Sequence, residues 1–207
     1  MIWVLIYLAT ILLTLLNIWI GSRFQEVRLA TNRLKVSTSI LTMVTSFAFV
    51  FSVSKQPSTA YILPLSLATY SVLLIDWVEK RIPNIITLYL AILQTLTSLI
   101  RSILEQSLVP LNAIYLGIAT FTLFFLLNFF SRDQLGMGDV KFSYSIAVGI
   151  GSISPYLIFG TFLLAFSMAG LFALGLLLSR RASLQSRFAF GPFMVIGTWL
   201  SVLAYVF

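Results

Sequence analysis

Long apolar runs, separated by short polar stretches, cover most of this chain. A helix needs about 20 apolar residues to cross the hydrocarbon core of a bilayer. One run, near 142–153, is short and contains two glycines, so we expect that helix to be kinked or only partly spanning. The pattern predicts an all-α integral membrane bundle of about eight transmembrane helices. They are predicted near 2–20, 38–54, 59–76, 85–100, 111–130, 142–153, 156–178 and 192–206.

The composition indicates that lipid, and not water, surrounds most of the chain. Of the 207 residues, 59% are hydrophobic and 9% are charged, whereas soluble domains carry about 25% charged residues. The length and the lack of repeats or linkers predict one membrane-embedded domain, 1–207. The first run lacks a basic start, and Gly21-Ser22-Arg23 is a poor cleavage site, so we interpret this run as a span and not a signal peptide.

The basic residues predict the orientation of the bundle. Eleven of the 13 Lys and Arg residues lie in alternate connections, 21–37, 77–84, 131–141 and 179–191. The other two, Lys55 and Arg101, are assigned to the opposite connections. The positive-inside rule therefore places the basic connections in the cytoplasm and both termini outside. It also explains the net charge of +7 without a nucleic-acid partner.

The chain contains no Cys and no His. This excludes disulfides, thiol nucleophiles, Cys or His metal sites and a histidine general base. We expect no cofactor and no metal requirement. Asp, Glu, Lys, Arg, Tyr, Ser and Thr remain available for chemistry.

Two of the six acids occupy unusual positions. Asp76 ends an apolar run at the predicted cytoplasmic edge of the third span, and Asp139 lies at the matching edge before the sixth. Ionisable groups at membrane depth are costly, so a functional role is the default hypothesis. Each Asp alone is equally compatible with an interfacial charge. Together they predict a dyad that shares one proton and hydrolyses an amide, with one carboxylate activating water and the other acid donating a proton.

The residues next to these acids predict a shaped site. Gly136 and Gly138 precede Asp139, and glycine permits positive φ and close backbone approach. A substrate strand could pair with that backbone, although a simple turn explains the glycines equally well. Pro83 follows Asp76 by seven residues and suits the first turn of the next helix.

Three ordered segments resemble the type IV prepilin peptidase family of intramembrane GxGD aspartyl proteases. They are Asp76 with Ile82-Pro83-Asn84, Gly136-Met-Gly-Asp139-Val-Lys141, and Phe190-Gly191-Pro192-Phe193. The resemblance implies that Asp76 and Asp139 are the catalytic acids. It also implies cleavage of the basic leader of type IV prepilins or pseudopilins, after a glycine, at the cytoplasmic face of a prokaryotic plasma membrane.

The sequence also departs from the family. Many members carry a four-cysteine, zinc-binding loop after the first span and methylate the new N-terminus. Here that loop has about 17 residues and no Cys, so a zinc site of that type is excluded and methylation is in doubt. Two classes of short members resemble this chain equally: the peptidases of competence systems and the archaeal preflagellin peptidases.

The role of each of the other candidate residues has more than one interpretation. Lys141 either attracts a substrate carboxylate or lowers the pKa of Asp139, or it is one more positive-inside charge. Glu79 either binds a basic leader or is a plain loop charge. Gly191 and Pro192 either shape a substrate channel or simply begin a helix. A small transporter and an inactive assembly partner with the same fold are alternative functions, and a transporter is expected to hold its acids near the bilayer midplane.

Overall fold

The computed structural model describes residues 32–131, 135–180 and 189–207, with isolated positions between 8 and 19. These residues are helical and contain no strand. A 3-10 helix, Pro57–Ile62, leads directly into the second α-helix. The α-helices are α1 Asn32–Lys55, α2 Leu63–Glu79, α3 Asn84–Glu105, α4 Val109–Phe130, α5 Met137–Gly151, α6 Tyr156–Leu178 and α7 Gly191–Val206.

Helices α2 and α5 form the interior of the bundle. Most of their side chains are buried, and they contact each other. Helix α5 also packs against α3, α4, α6 and α7, while α2 packs against α1, α3 and α7. The outer helices α4 and α6 have mostly exposed apolar side chains, as expected for surfaces that face lipid. The two acids therefore lie on the two most enclosed helices.

Five segments are long and apolar enough to span a membrane: Leu34–Lys55, Pro57–Glu79, Asn84–Glu105, Val109–Phe130 and Tyr156–Leu178. Helix α7 is apolar but shorter. Helix α5 has 15 residues and is not among the five. Its shortness agrees with the expectation of a partly spanning sixth segment. The predicted segment 2–20 lies almost wholly outside the described residues.

Three predicted boundaries were wrong by five residues or more. Helix α1 begins at Asn32, six residues before the predicted span, and includes the polar stretch 32–37. Helix α5 begins at Met137, five residues before 142, so Asp139 lies in its first turn and not before the helix. Helix α3 continues five residues past 100, so Arg101 and Glu105 are helical and not in a loop. There the Arg101 Nε donates to Glu105 Oε2 at 2.9 Å, which supports the last turn.

Candidate active site

Asp76 lies in the last turn of α2 and is 1% exposed. Its Oδ2 accepts a hydrogen bond of 2.7 Å from the backbone N–H of Gly191. Gly191 is the first residue of α7, where backbone N–H groups have no partner within the helix. The start of the last helix thus orients a carboxylate that is 115 residues away in the chain.

The turn after Asp76 folds back against the site. Helix α2 ends at Glu79, and Lys80 adopts a left-handed conformation with φ 55° while its N–H donates to the Asp76 carbonyl at 2.8 Å. The chain then reverses, and Pro83 precedes α3 with φ −58°. Between them Ile82 is buried, with 4% of its surface exposed. One apolar residue of a charged loop is therefore inserted into the interior.

Asp139 is the third residue of α5 and is 7% exposed. It lies outside the five spanning segments. Burial raises the pKa of Asp139 well above its usual 3.8, and the nearby charge of Asp76 raises it further, while a backbone hydrogen bond from Gly136 partly offsets both. Its Oδ1 is buried without a hydrogen-bond partner among the described residues. The structure thus brings Asp76 and Asp139 close enough for their charges to interact.

Gly136 and Gly138 allow other parts of the site to pack directly against the backbone. No glycine in the described part of the chain has positive φ, so of the two properties of glycine, close backbone approach is the one used at Gly136 and Gly138. A Cβ on Gly138 would lie 2.7 Å from the carbonyl oxygen and 2.9 Å from the nitrogen of Ile82. A Cβ on Gly136 would lie 3.0 Å from Asp139 Oδ2. The second acid segment therefore packs directly on the loop that follows the first.

Gly191 packs on the same loop. A Cβ there would lie 2.8 Å from Asp76 Oδ2 and 3.2 Å from Ile82 Cδ1. Ile82 thus touches both Gly138, next to Asp139, and Gly191, the hydrogen-bond donor to Asp76. Ile82 thus joins the three motif segments of the site, and it does so only in the folded protein.

The remaining predicted site residues lie around this centre with other contacts. Glu79 Oε2 accepts a 2.6 Å bond from Arg81 Nε. The Pro83 carbonyl accepts the first backbone bonds of α3, and Pro192 occupies the first turn of α7. Lys141 Nζ donates to Asn84 Oδ1 at 2.8 Å. It contacts the start of α3, while the pKa of Asp139 is set by burial, by the Asp76 charge and by the Gly136 hydrogen bond.

The sequence analysis quoted Ile82 and Asn84 within the first motif segment but assigned neither of them a contact or a role. The signal for Ile82 was an apolar residue alone between the charged Glu79-Lys-Arg81 stretch and a proline. Asn84 was a polar residue at the first position of an apolar helix. Neither signal shows which group the side chain contacts.

Comparison with known proteins identifies the family of the chain. A family model described as the type IV leader peptidase family matches residues 61–174, more than half of the chain. The chain belongs to the type IV leader peptidase family. The family is one of peptidases, so a hydrolase of peptide bonds is implied, and with the apolar helices it indicates a multi-pass membrane protein. No curated protein and no solved structure matches the chain.

The part of this leader peptidase that matches the family includes both acids and the loop between α2 and α3. It ends before α7. The Gly191 contact with Asp76 is therefore supplied by a segment outside the match, and the structure shows which atom of the site this segment contacts.

Proposed function

We propose that this chain is an aspartyl endopeptidase that removes the leader of type IV prepilin-like or pseudopilin proteins. One observation supports this most directly: Asp76 and Asp139 are both buried and interact electrostatically at the ends of adjacent helices. Family membership supports the peptidase class. The position of both acids at helix ends favours hydrolysis over an ion path through the bilayer midplane.

The two acids take different roles in this proposal. Asp139 holds the shared proton, because its raised pKa keeps the carboxyl group neutral. It donates that proton toward the scissile carbonyl. Asp76 acts on water as a carboxylate, since its Oδ2 already accepts the Gly191 N–H. Water adds to the carbonyl carbon while Asp76 takes its proton, and the C–N bond then breaks as that proton passes to the leaving nitrogen, so no covalent enzyme intermediate forms, as in other aspartic proteases.

The substrate class follows from membership and location together. A prepilin-like protein has a basic leader and a hydrophobic helix, and the cut lies between them. Such a helix enters from the bilayer, while the leader stays at the predicted cytoplasmic face of a prokaryotic plasma membrane. A role in competence, pilus assembly or secretion fits this class, and methylation of the product is not part of the proposal.

Membranes that contain the full chain, incubated with a prepilin-like substrate, test the proposal. We expect wild-type membranes to release the leader, and Asp76→Asn and Asp139→Asn each to lower the rate by at least about 1000-fold, by analogy with removal of a catalytic-triad member. Glu105→Gln is the matched control, because it removes a carboxylate at the far end of α3. Cleavage that persisted in either Asp variant would exclude the proposed dyad.

A further inference from the structure

A groove opens on the lipid-facing side of the bundle between α3, α4 and α5. Its volume is about 480 Å³. Its mouth is formed by Lys141 and Asn84, which are hydrogen-bonded to each other at 2.8 Å. The rest of the lining is mainly apolar: Thr87, Leu88, Ala91, Ile118, Phe121 and Tyr144.

Charge distinguishes this groove from its neighbours. A groove of about 520 Å³ between α4 and α6 and one of about 330 Å³ between α2 and α3 have no charged residue in their linings. Lys141 forms no ion pair with an acid in the described part of the chain. Among the described residues, the Lys141 ammonium group thus has no acidic partner, and it lines an apolar groove at the predicted cytoplasmic edge. Anionic lipids are concentrated in that leaflet and attract such cations.

The dimensions favour a thin apolar chain over a helix. From Asn84 to Ala91 the groove follows α3 for about 10 Å, at 1.5 Å per residue. Tyr144 also lines the groove, and its hydroxyl is 2.9 Å from Thr95 Oγ1. One turn of a helix with side chains fills roughly 400–600 Å³. The groove therefore holds about one helical turn, which is too little for the hydrophobic helix of a protein partner.

We propose that this groove binds one anionic phospholipid. The headgroup phosphate accepts hydrogen bonds from Lys141 Nζ and from the side-chain amide of Asn84. An acyl chain lies along Leu88, Ala91 and Phe121. The proposal is independent of the peptidase assignment, because it needs only the groove and the membrane.

Native mass spectrometry of the purified full chain tests the proposal, after exchange into phosphatidylcholine with or without phosphatidylglycerol. We expect one tightly retained phosphatidylglycerol. Lys141→Gln should weaken its retention about fivefold, the effect of one basic residue near an anionic surface. Lys80→Gln is the control, because Lys80 lies on the same predicted face but outside the lining. Equal retention in these two variants would overturn the proposal.

Further measurements distinguish a bound lipid from a free anion and from a substrate protein. Ala91→Leu keeps the charge but fills the channel, so it should also reduce retention, and melting temperatures show whether each variant is folded. Displacement of the lipid by millimolar inorganic phosphate would show a free-anion site and overturn the proposal. A photo-crosslinker at position 91 that captures a substrate protein and not lipid would overturn it as well.

Discussion

The Gly191 N–H holds the Asp76 carboxylate at 2.7 Å across 115 residues of sequence. This contact joins the first turn of α7 to the last turn of α2, and it leaves no room for a side chain at position 191. The orientation of Asp76 therefore depends on how α7 packs, although α7 carries no acid.

Gly191→Ala tests this relationship. The added Cβ would lie 2.8 Å from Asp76 Oδ2, so the carboxylate or the helix must shift. A misplacement of about 1 Å can lower a rate about 100-fold, and we expect a loss of that order in leader cleavage. Gly170→Ala is the control, because a Cβ there meets nothing within 4 Å. Equal activity in the two variants would show that the contact does not position Asp76.

Gly138→Ala should be more damaging to the fold. Its Cβ would meet the main-chain oxygen of Ile82 at 2.7 Å and the nitrogen at 2.9 Å, so the α2–α3 loop must move. We expect a lower melting temperature together with loss of cleavage. Shortening the side chain in the double variant with Ile82→Ala should not restore either property, because the blocking atoms belong to the backbone. A double variant with restored melting temperature and cleavage would contradict this account.

The stability of the protein should depend on pH through Asp139. Its pKa is raised in the folded protein above the usual 3.8, so the folded state retains a proton that the unfolded state releases. This contribution is fully present below about pH 4 and is lost as pH rises through the folded-state pKa. We expect the melting temperature of wild type to fall from pH 4 toward pH 8. Asp139→Asn should fall less steeply and be the more stable protein at pH 8, while being inactive; parallel curves would contradict the shift.

Arg101 should stabilise the opposite end of the bundle. It is 8% exposed, donates to the Ser152 carbonyl after α5 and lies 4.9 Å from the centre of the Tyr61 ring. Arg101→Met removes the donor to a buried carbonyl, which costs about 1–3 kcal/mol. Glu105→Gln removes only a partly exposed ion-pair partner and should cost less than about 1 kcal/mol. Unfolding in detergent followed by circular dichroism compares them; equal losses would assign the effect to the ion pair.

Much of the architecture could be predicted because hydropathy is a local property. Residues 156–178 were bounded correctly, since a run of apolar side chains needs no partner to be recognised as a spanning helix. The starts of α1 and α5 and the end of α3 were not, because these helices continue through polar residues that a hydropathy pattern assigns to connections. Arg101 illustrates this: its charge suggested a loop, whereas its contacts with Ser152 and Tyr61 place it inside the bundle.

For the site, the sequence by itself determined the candidate acids. With Cys and His absent, Asp76 and Asp139 were the acids at the ends of predicted spans, and their neighbouring glycines and proline marked the segments. Only the tertiary structure decided that these acids interact, that Gly191 donates to Asp76, and that Ile82 packs against Gly138 and Gly191. Those contacts join residues distant in the chain, and they depend on how whole helices pack, which no local pattern of side chains encodes.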